Sequence, residues 1–323
     1  MLNSRSCIAI FALCLIAPSP LFAQSGYPAK PIRIISIFAP GGGNDVICRL
    51  VAQKLSERVK QQVYVENRVG ANGIIGSEAT ARSAPDGYTI ALIPSGHAVN
   101  ASMYRKLPFD SVKDFTTITL AGTSPLVLAV HPTLAVRNVK ELIALAKTKP
   151  GQLTYATSGI GASGHLAAAL FETMTGTSLS HVPYKGMSLA VADLMGGQVS
   201  MTFGTSLSVI PHVRSGRLRA LATTGAQRSP ALPELPTVAE AGVAGYEASL
   251  WYGFVGPAQM PPDIVQRLNA EIAAVLALPD TREKFASQGL DTRSSTPDEF
   301  ARLLTADIAR WATLVQKLGL HAD

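Results

Sequence analysis

The chain has 323 residues, of which 47% are apolar and 15% charged, with a net charge of +6 and a pI near 9.3. That length and apolar share describe a globular protein with a large core that needs neither disulfides nor metals. Lys and Arg are scattered singly, with no dense run and no interleaved aromatics, which argues against a nucleic-acid-binding face. A mild positive field would help collect small anions, although a solubilising surface explains it equally well.

The chain opens with Arg5 and an apolar run from Cys7 to Ala17, and small and turn residues then lead to Ala23. This reads as a secretory signal peptide over residues 1–23, cleaved after Ala23 although Leu21 is large for its place. The run is too short for a transmembrane helix and no later stretch replaces it, so the protein is not expected to be membrane-embedded. Neither Cys7 nor Cys14 follows the small residue that a lipid-attachment signal wants, which points to a soluble exported protein. Loss of the leader would leave only Cys48, so no intramolecular disulfide is expected and Cys48 reads as a buried, inert thiol.

Strand and helix patterns then alternate, which predicts mostly parallel sheets flanked by helices. A β-type run, Ile32 to Phe38, enters Ala39-Pro40-Gly41-Gly42-Gly43-Asn44-Asp45, and an amphipathic run, Val46 to Val59, leaves it. Val63 to Val65 is a short strand, Ile75 to Ala81 a helix after Gly70-Ala71-Asn72-Gly73, and Thr89 to Ile93 a buried strand ending at Ser95-Gly96-His97. Thr116 to Thr119 and Leu126 to Val130 read as two strands divided by Gly122-Thr123-Ser124-Pro125. After a helix at Val139 to Thr148 and a strand at Thr154 to Ala156, a second glycine loop, Thr157 to Gly164, opens a helix from His165 to Met174. Strands at His181 to Pro183, Met201 to Phe203 and Leu218 to Thr223 alternate with helices at Met187 to Met195 and Val209 to Arg214. A Pro-rich loop, Pro230 to Pro236, precedes an apolar crossing from Ser249 to Val255. Helices follow at Pro262 to Leu276, Thr281 to Gln288 and Pro297 to Leu318, with Pro262 and the Thr296/Glu299 pair as start signals. The pattern suggests a clamshell: one lobe of residues 27–123 plus 250–323, the other of 124–249, with both glycine loops at the carboxyl ends of strands, where open α/β sheets hold ligands.

Each glycine loop aims backbone N–H groups and a helix N-terminus at one point, which suits an anion. The first loop lacks the later glycine of a dinucleotide fingerprint and the Lys-Ser/Thr of a P-loop. The second approaches a nucleophile elbow at Ser163, but His165 stands where the elbow has glycine. An exported hydrolase using Ser163 or Ser158 with His165 is therefore the weaker reading. No metal-ligand cluster or cofactor motif is present, and the chain is not expected to be an enzyme. Asp45 reads as a helix cap or loop brace shared with Asn44, or as an acceptor for a ligand amine or hydroxyl. His165 reads as a brace of its loop, Lys185 as a solvated turn residue or one facing the cleft, and Trp251 as core or hinge packing.

From about Tyr27 to Leu320 the chain resembles the periplasmic receptors of tripartite tricarboxylate transporters, also called Bug proteins. The resemblance rests on Pro40 to Asp45, Glu66-Asn67, Pro85-Asp86-Gly87-Tyr88, Tyr155 to Gly161 with His165-Leu166, Val182 to Gly186, Gly196 to Val199, and Leu235 to Gly242. It implies an α/β, two-lobed periplasmic binding protein (a Venus flytrap of type II topology) that holds a small organic carboxylate between the two loops. It implies membrane transporter subunits as partners, with an orphan receptor serving signalling or an extracellular enzyme as the alternative, and a monomer. Ligand contact carries over to Gly42, Gly43, Asn44 and Asp45, and to Ser158, Gly159 and Gly161, with Ser95 and Thr205 from other cleft loops. Two residues depart from the family pattern: Asn44 stands where Thr is usual and Ala162 where Ser or Thr is common. The hydroxyl-free Ala162 belongs to the expected site and would admit a bulkier or less polar acid.

Overall fold

A computed structural model describes residues 26–318. The signal peptide read over residues 1–23, with Cys7 and Cys14, lies outside the described residues.

The first lobe starts with β1 (Ile32–Ser36), a strand covered on both faces, followed by α1 (Gly43–Val59) and β2 (Val63–Asn67). A left-handed turn, Gly70 to Gly73, leads into α2 (Ile74–Ala81), β3 (Thr89–Pro94) and α3 (Gly96–Met103). β1 pairs in parallel with β2 and β3. β1 and β3 are largely apolar and buried, as strands with helices on both faces require, while the edge strand β2 is more polar.

β4 (Phe115–Val130) is one strand, where the sequence reads as two. The Gly122-to-Pro125 stretch is not a turn, because β9 (Ser249–Pro257) pairs antiparallel with β4 from Phe115 to Pro125 and holds it extended. The two register shifts near Thr117 and Leu120 absorb the irregularity as bulges. Beyond Pro125, β4 enters the second lobe and pairs with β7 (Met201–Thr205) and β8 (Arg219–Thr223).

The second lobe contains α4 (Val139–Thr148), β5 (Thr154–Thr157), α5 (Ser163–Thr175), β6 (Ser180–Pro183), α6 (Met187–Met195) and α7 (Ser206–Arg214). β5 runs parallel to β6 and β7. α4 starts with a reciprocal cap: Asn138 Oδ1 accepts from Glu141 N–H at 2.9 Å and Glu141 Oε2 from Arg137 N–H at 2.7 Å. The chain returns through β9 to α8 (Pro262–Ala277), α9 (Pro279–Ala286), β10 (Asp291–Thr292) and α10 (Pro297–Leu318). The Thr296/Glu299 capping box forms, with Glu299 N–H on Thr296 Oγ1 at 3.2 Å and Thr296 N–H on Glu299 Oε2 at 2.9 Å.

The sheet is mixed, in the order β2-β1-β3-β9-β4-β7-β5-β6 with β8 and β10 also on β4. Every antiparallel pairing involves β4 or β9. The lobes are thus joined through two long strands that lie side by side. A separate apolar contact closes one edge of the cleft: Leu166 of α5 packs against Val99 and Met103 of α3 and Val315 of α10.

Candidate functional site

The first glycine loop is built by its own carboxylate. Gly41 has φ +78°, a conformation that favours glycine, and its N–H donates to Asp45 Oδ2 at 2.9 Å. Arg49 Nε donates to the same oxygen at 2.8 Å, and Asn67 Nδ2 to Asp45 Oδ1 at 2.8 Å. Burial works to raise the Asp45 pKa, but these bonds outweigh it and hold the carboxyl below its usual range. The Asn44 side chain also turns inward: Nδ2 donates to Leu92 O at 2.9 Å and Oδ1 accepts from Ser36 Oγ at 3.0 Å. Asn44 therefore offers the cleft its backbone.

The second loop leans on a ring stack. The His165 and His181 rings lie 4.2 Å apart between centroids, with Tyr155 stacked 4.8 Å from His181 and 6.5 Å from His165. His165 Nδ1 accepts from Gly161 N–H at 3.1 Å, and His181 Nε2 lies 2.7 Å from Thr157 Oγ1. Burial lowers the His165 pKa to about 4. Burial, with His165 adding to it, lowers His181 to about 3, so both rings are neutral braces near pH 7. The helix that follows sits hard against β7. A Cβ on Gly164 would stand 2.4 Å from Phe203 O, so only glycine lets α5 approach this closely.

Between the loops lies a cavity of about 40 Å³. Gly42, Gly43 and Asn44 line it at the start of α1, Pro94 at the end of β3 and Gly96 at the start of α3. Ala162, Ser163 and Gly164 line it at the start of α5, Met187 at the start of α6, and Thr205 at the N-cap of α7. The N-termini of five helices thus converge on one cavity. Phe38, Asn72, Ser158, Phe203, Leu250 and Tyr252 complete the lining, and none of the lining side chains is charged. The first N–H groups of each helix have no intrahelical acceptor, and each terminus favours an anion by ~0.3–1 kcal/mol when exposed and up to ~2 when partly buried. This arrangement can hold a carboxylate without an Arg or Lys. The rest of the wall is largely apolar.

The lobes meet around the cavity. Gly43 N–H donates to Ser208 Oγ at 2.9 Å, Thr205 Oγ1 donates to Ser208 Oγ at 2.8 Å, and Ser95 Oγ lies 3.1 Å from Ser163 Oγ. Ser163 thus pairs with a serine and His165 with a backbone N–H, so Ser163 and His165 do not pair with each other here.

Of the expected site residues, Gly42, Gly43, Asn44, Ser158, Ala162 and Thr205 line the cavity. Asp45 does not, since its carboxylate braces the loop from behind. Ser95 bridges to Ser163 at the rim, and Gly161 is turned toward His165. Gly159 lines a neighbouring cavity of about 210 Å³ with Asn72, Tyr104 and Lys185. Trp251 is core, its indole donating to Asp307 Oδ2 at 2.8 Å. Cys48 is fully buried, and burial pushes its thiol pKa up. Sequence reasoning missed Phe38, Asn72, Gly96, Met187 and Tyr252. The Ser95-Gly96-His97 and Gly186-Met187 junctions were the available signals, each a small residue where a strand hands over to a helix. Among the described residues no acidic, His or Cys cluster suits a metal ion, and no helix is long and apolar enough to cross a membrane.

Residues 47–320 match the family model described as "Tripartite tricarboxylate transporter family receptor". The chain is 38% identical to Protein BugT of Bordetella pertussis, over 97% of this chain and 96% of that one. The solved structure of Rpa4515 of R. palustris with adipate is 36% identical, with a TM-score of 0.89 over 91% of this chain and 99% of the other. MatC (Rpa3494) of Rhodopseudomonas palustris, solved with bound malate, is 27% identical, with a TM-score of 0.85 over 90% of this chain and 100% of the other.

Proposed function

The chain belongs to the tripartite tricarboxylate transporter receptor family, and on that premise we propose that it is a periplasmic solute-binding receptor that captures a small organic carboxylate in the inter-lobe cavity. The observation that carries this is the convergence of five helix N-termini on a cavity without a charged side chain. Such a site stabilises negative charge through fixed dipoles and rejects cations. Relatives solved with adipate and with malate support a carboxylate as the guest.

Ligand contact is assigned to the backbone of Gly42, Gly43 and Asn44, to Ser158 and Ala162, and to Thr205. The lobes are taken as residues 27–123 with 250–323 and residues 124–249, and the hinge as β4 and β9 where they cross between them. Closure brings the second lobe's donors onto the ligand, so the ligand favours the closed form by its differential affinity. The mature chain is a monomer in the periplasm, exported through a leader cleaved after Ala23, and presents the closed form to transporter subunits in the membrane. On this reading it carries out no catalysis; the Ser163–Ser95 and His165–Gly161 pairings speak against the Ser163 version of the weaker hydrolase reading. The test is a thermal-shift screen of the purified mature chain against a carboxylate panel, since binding raises stability by RT ln(1 + [L]/Kd). Stabilisation by at least one carboxylate is expected. A shift with neutral sugars or cations alone would overturn the reading.

A further inference from the structure

Asn72 is the exception in a cavity otherwise rich in donors. It sits in the left-handed turn before α2, with φ +49°, a conformation that Asn tolerates better than most residues. Its amide orientation is set by two bonds to Asn100: Asn72 Nδ2 donates to Asn100 Oδ1 at 2.8 Å, and Asn100 Nδ2 donates to Asn72 O at 3.2 Å. Flipping the Asn72 amide would set two oxygens against each other, so Oδ1 faces away from Asn100. There it has no hydrogen-bond partner among the described residues, although Asn72 is only 8% exposed. It lies 3.3 Å from where a Cβ of Gly159 would stand, so the second glycine loop covers it, and Asn72 lines both the central cavity and its neighbour.

A buried carbonyl oxygen without a donor is costly, and the cost is incurred when the second lobe closes over it. The surroundings do not relieve it. Gly159 N–H is committed to Thr157 Oγ1 and Gly161 N–H to His165 Nδ1. Asp45, the acceptor that sequence reasoning placed in the cleft, is saturated by Gly41, Arg49 and Asn67. Asn72, which lines the cavity, therefore carries an acceptor oxygen without a partner among the described residues, beside an anion-binding floor.

Resting on the carboxylate reading above, we propose that Asn72 Oδ1 is a specificity determinant that selects carboxylic acids bearing a hydroxyl or amino group over the same acids without one. The carboxylate lies against the helix N-termini, and the donor on the neighbouring carbons meets Asn72 Oδ1. A site that buries a hydrogen-bonding group for a ligand OH or NH rejects the analogue lacking it, because the protein group is then left unpaired.

The test uses the mature chain and matched acids: malate and aspartate against succinate, lactate against propionate, and 3-hydroxybutyrate against butyrate. Isothermal titration is expected to show the donor-bearing member of the accepted pair binding at least about tenfold more tightly. Asn72→Gly, which keeps the left-handed backbone accessible, should collapse that ratio toward unity and leave the donor-free member's affinity unchanged or raised. Asn72→Asp keeps an acceptor of the same shape and should retain the preference while weakening every acid through repulsion. Circular dichroism checks that both variants fold. The proposal fails if wild type binds both members of the accepted pair within about threefold, or if Asn72→Gly keeps the wild-type ratio. Binding of none of these acids by a chain that the thermal-shift panel shows to take another, donor-free carboxylate refutes the role of Asn72 and leaves the carboxylate reading standing; no shift with any carboxylate of that panel refutes the carboxylate reading itself.

Discussion

Adding a single methyl group at Gly43 separates the closed form from the fold. Gly43 is the first residue of α1 and takes no left-handed φ, so alanine suits its backbone. A Cβ there would stand 2.9 Å from Tyr252 Oη, 3.1 Å from Thr205 Oγ1 and 3.4 Å from Leu207 Cβ. Thr205 and Leu207 belong to the second lobe, so their part of the clash exists only when the cleft is shut, whereas Tyr252 shares the first lobe with Gly43 and its hydroxyl, the far end of a side chain, must give way in either state. Overpacking of this kind costs ~1–3 kcal/mol. Parting the loops also loses the 2.9 Å bond from Gly43 N–H to Ser208 Oγ, a neutral bond worth ~1 kcal/mol. Together these come to ~2–4 kcal/mol against closure, which at ~1.4 kcal/mol per decade is a roughly 30- to 700-fold loss of affinity. Titration calorimetry with the acid found by thermal shift measures it, and small-angle scattering follows closure. Gly43→Asp, which adds a charge against the anion, should abolish binding while leaving circular dichroism unchanged. A Gly43→Ala protein that binds within about threefold of wild type and still compacts on binding would refute the reasoning.

Asp45→Asn should leave the Arg49, Gly41 and Asn67 donors short of an anionic acceptor, lowering unfolding stability by ~1–3 kcal/mol and weakening binding; chemical denaturation reads the first, and an unchanged midpoint would remove Asp45 from the brace. Leu166→Ala should cost ~2–5 kcal/mol in the same assay, because Leu166 is buried against α3 and α10; a loss under ~1 kcal/mol would show that this contact contributes little. Acid should destabilise the fold through three histidines. Burial lowers His97 and His165 from the usual 6.5 to about 4, and His181 to about 3, so the unfolded chain takes up these protons first. Stability is therefore full above pH 6.5 and falls as pH drops toward 4 and then 3. The thermal midpoint should drop between pH 7 and 4.5 and drop less in His181→Gln; a flat profile over that range would contradict the buried, neutral assignment.

The α/β alternation was legible because strands buried on both faces, such as β3, are largely apolar runs and most helix starts carry a cap, a glycine or a proline. Most element positions follow from that: α4, α6 and α10 span the residues their patterns mark. The reading failed at β4. Gly122 and Pro125 are local turn signals, and nothing local reveals that β9, more than a hundred residues later, will hold them extended. α3 was missed for a related reason, since its polar residues Ser95, His97 and Asn100 are all buried by distant partners. At the site, the glycine loops were visible as loops, but which atoms face inward was not. Asp45 turned away because Arg49 and Asn67 capture it, one a helical turn on and the other across β2. Asn72 turned inward because Asn100 fixes its amide. Both outcomes depend on pairings that spacing alone does not encode.

The converging helix ends have a consequence for how such a receptor can diversify. If the charged group is held as proposed, its capture falls to peptide N–H groups, which every residue except proline supplies, so exchanging a lining side chain would leave the electrostatic trap in place. Phe38, Met187, Leu250 and Asn72 can then be varied as a separate layer that shapes the remainder of the guest. A biosensor built on this chain should thus be retargeted by recasting that layer, with the carboxylate anchor inherited unchanged.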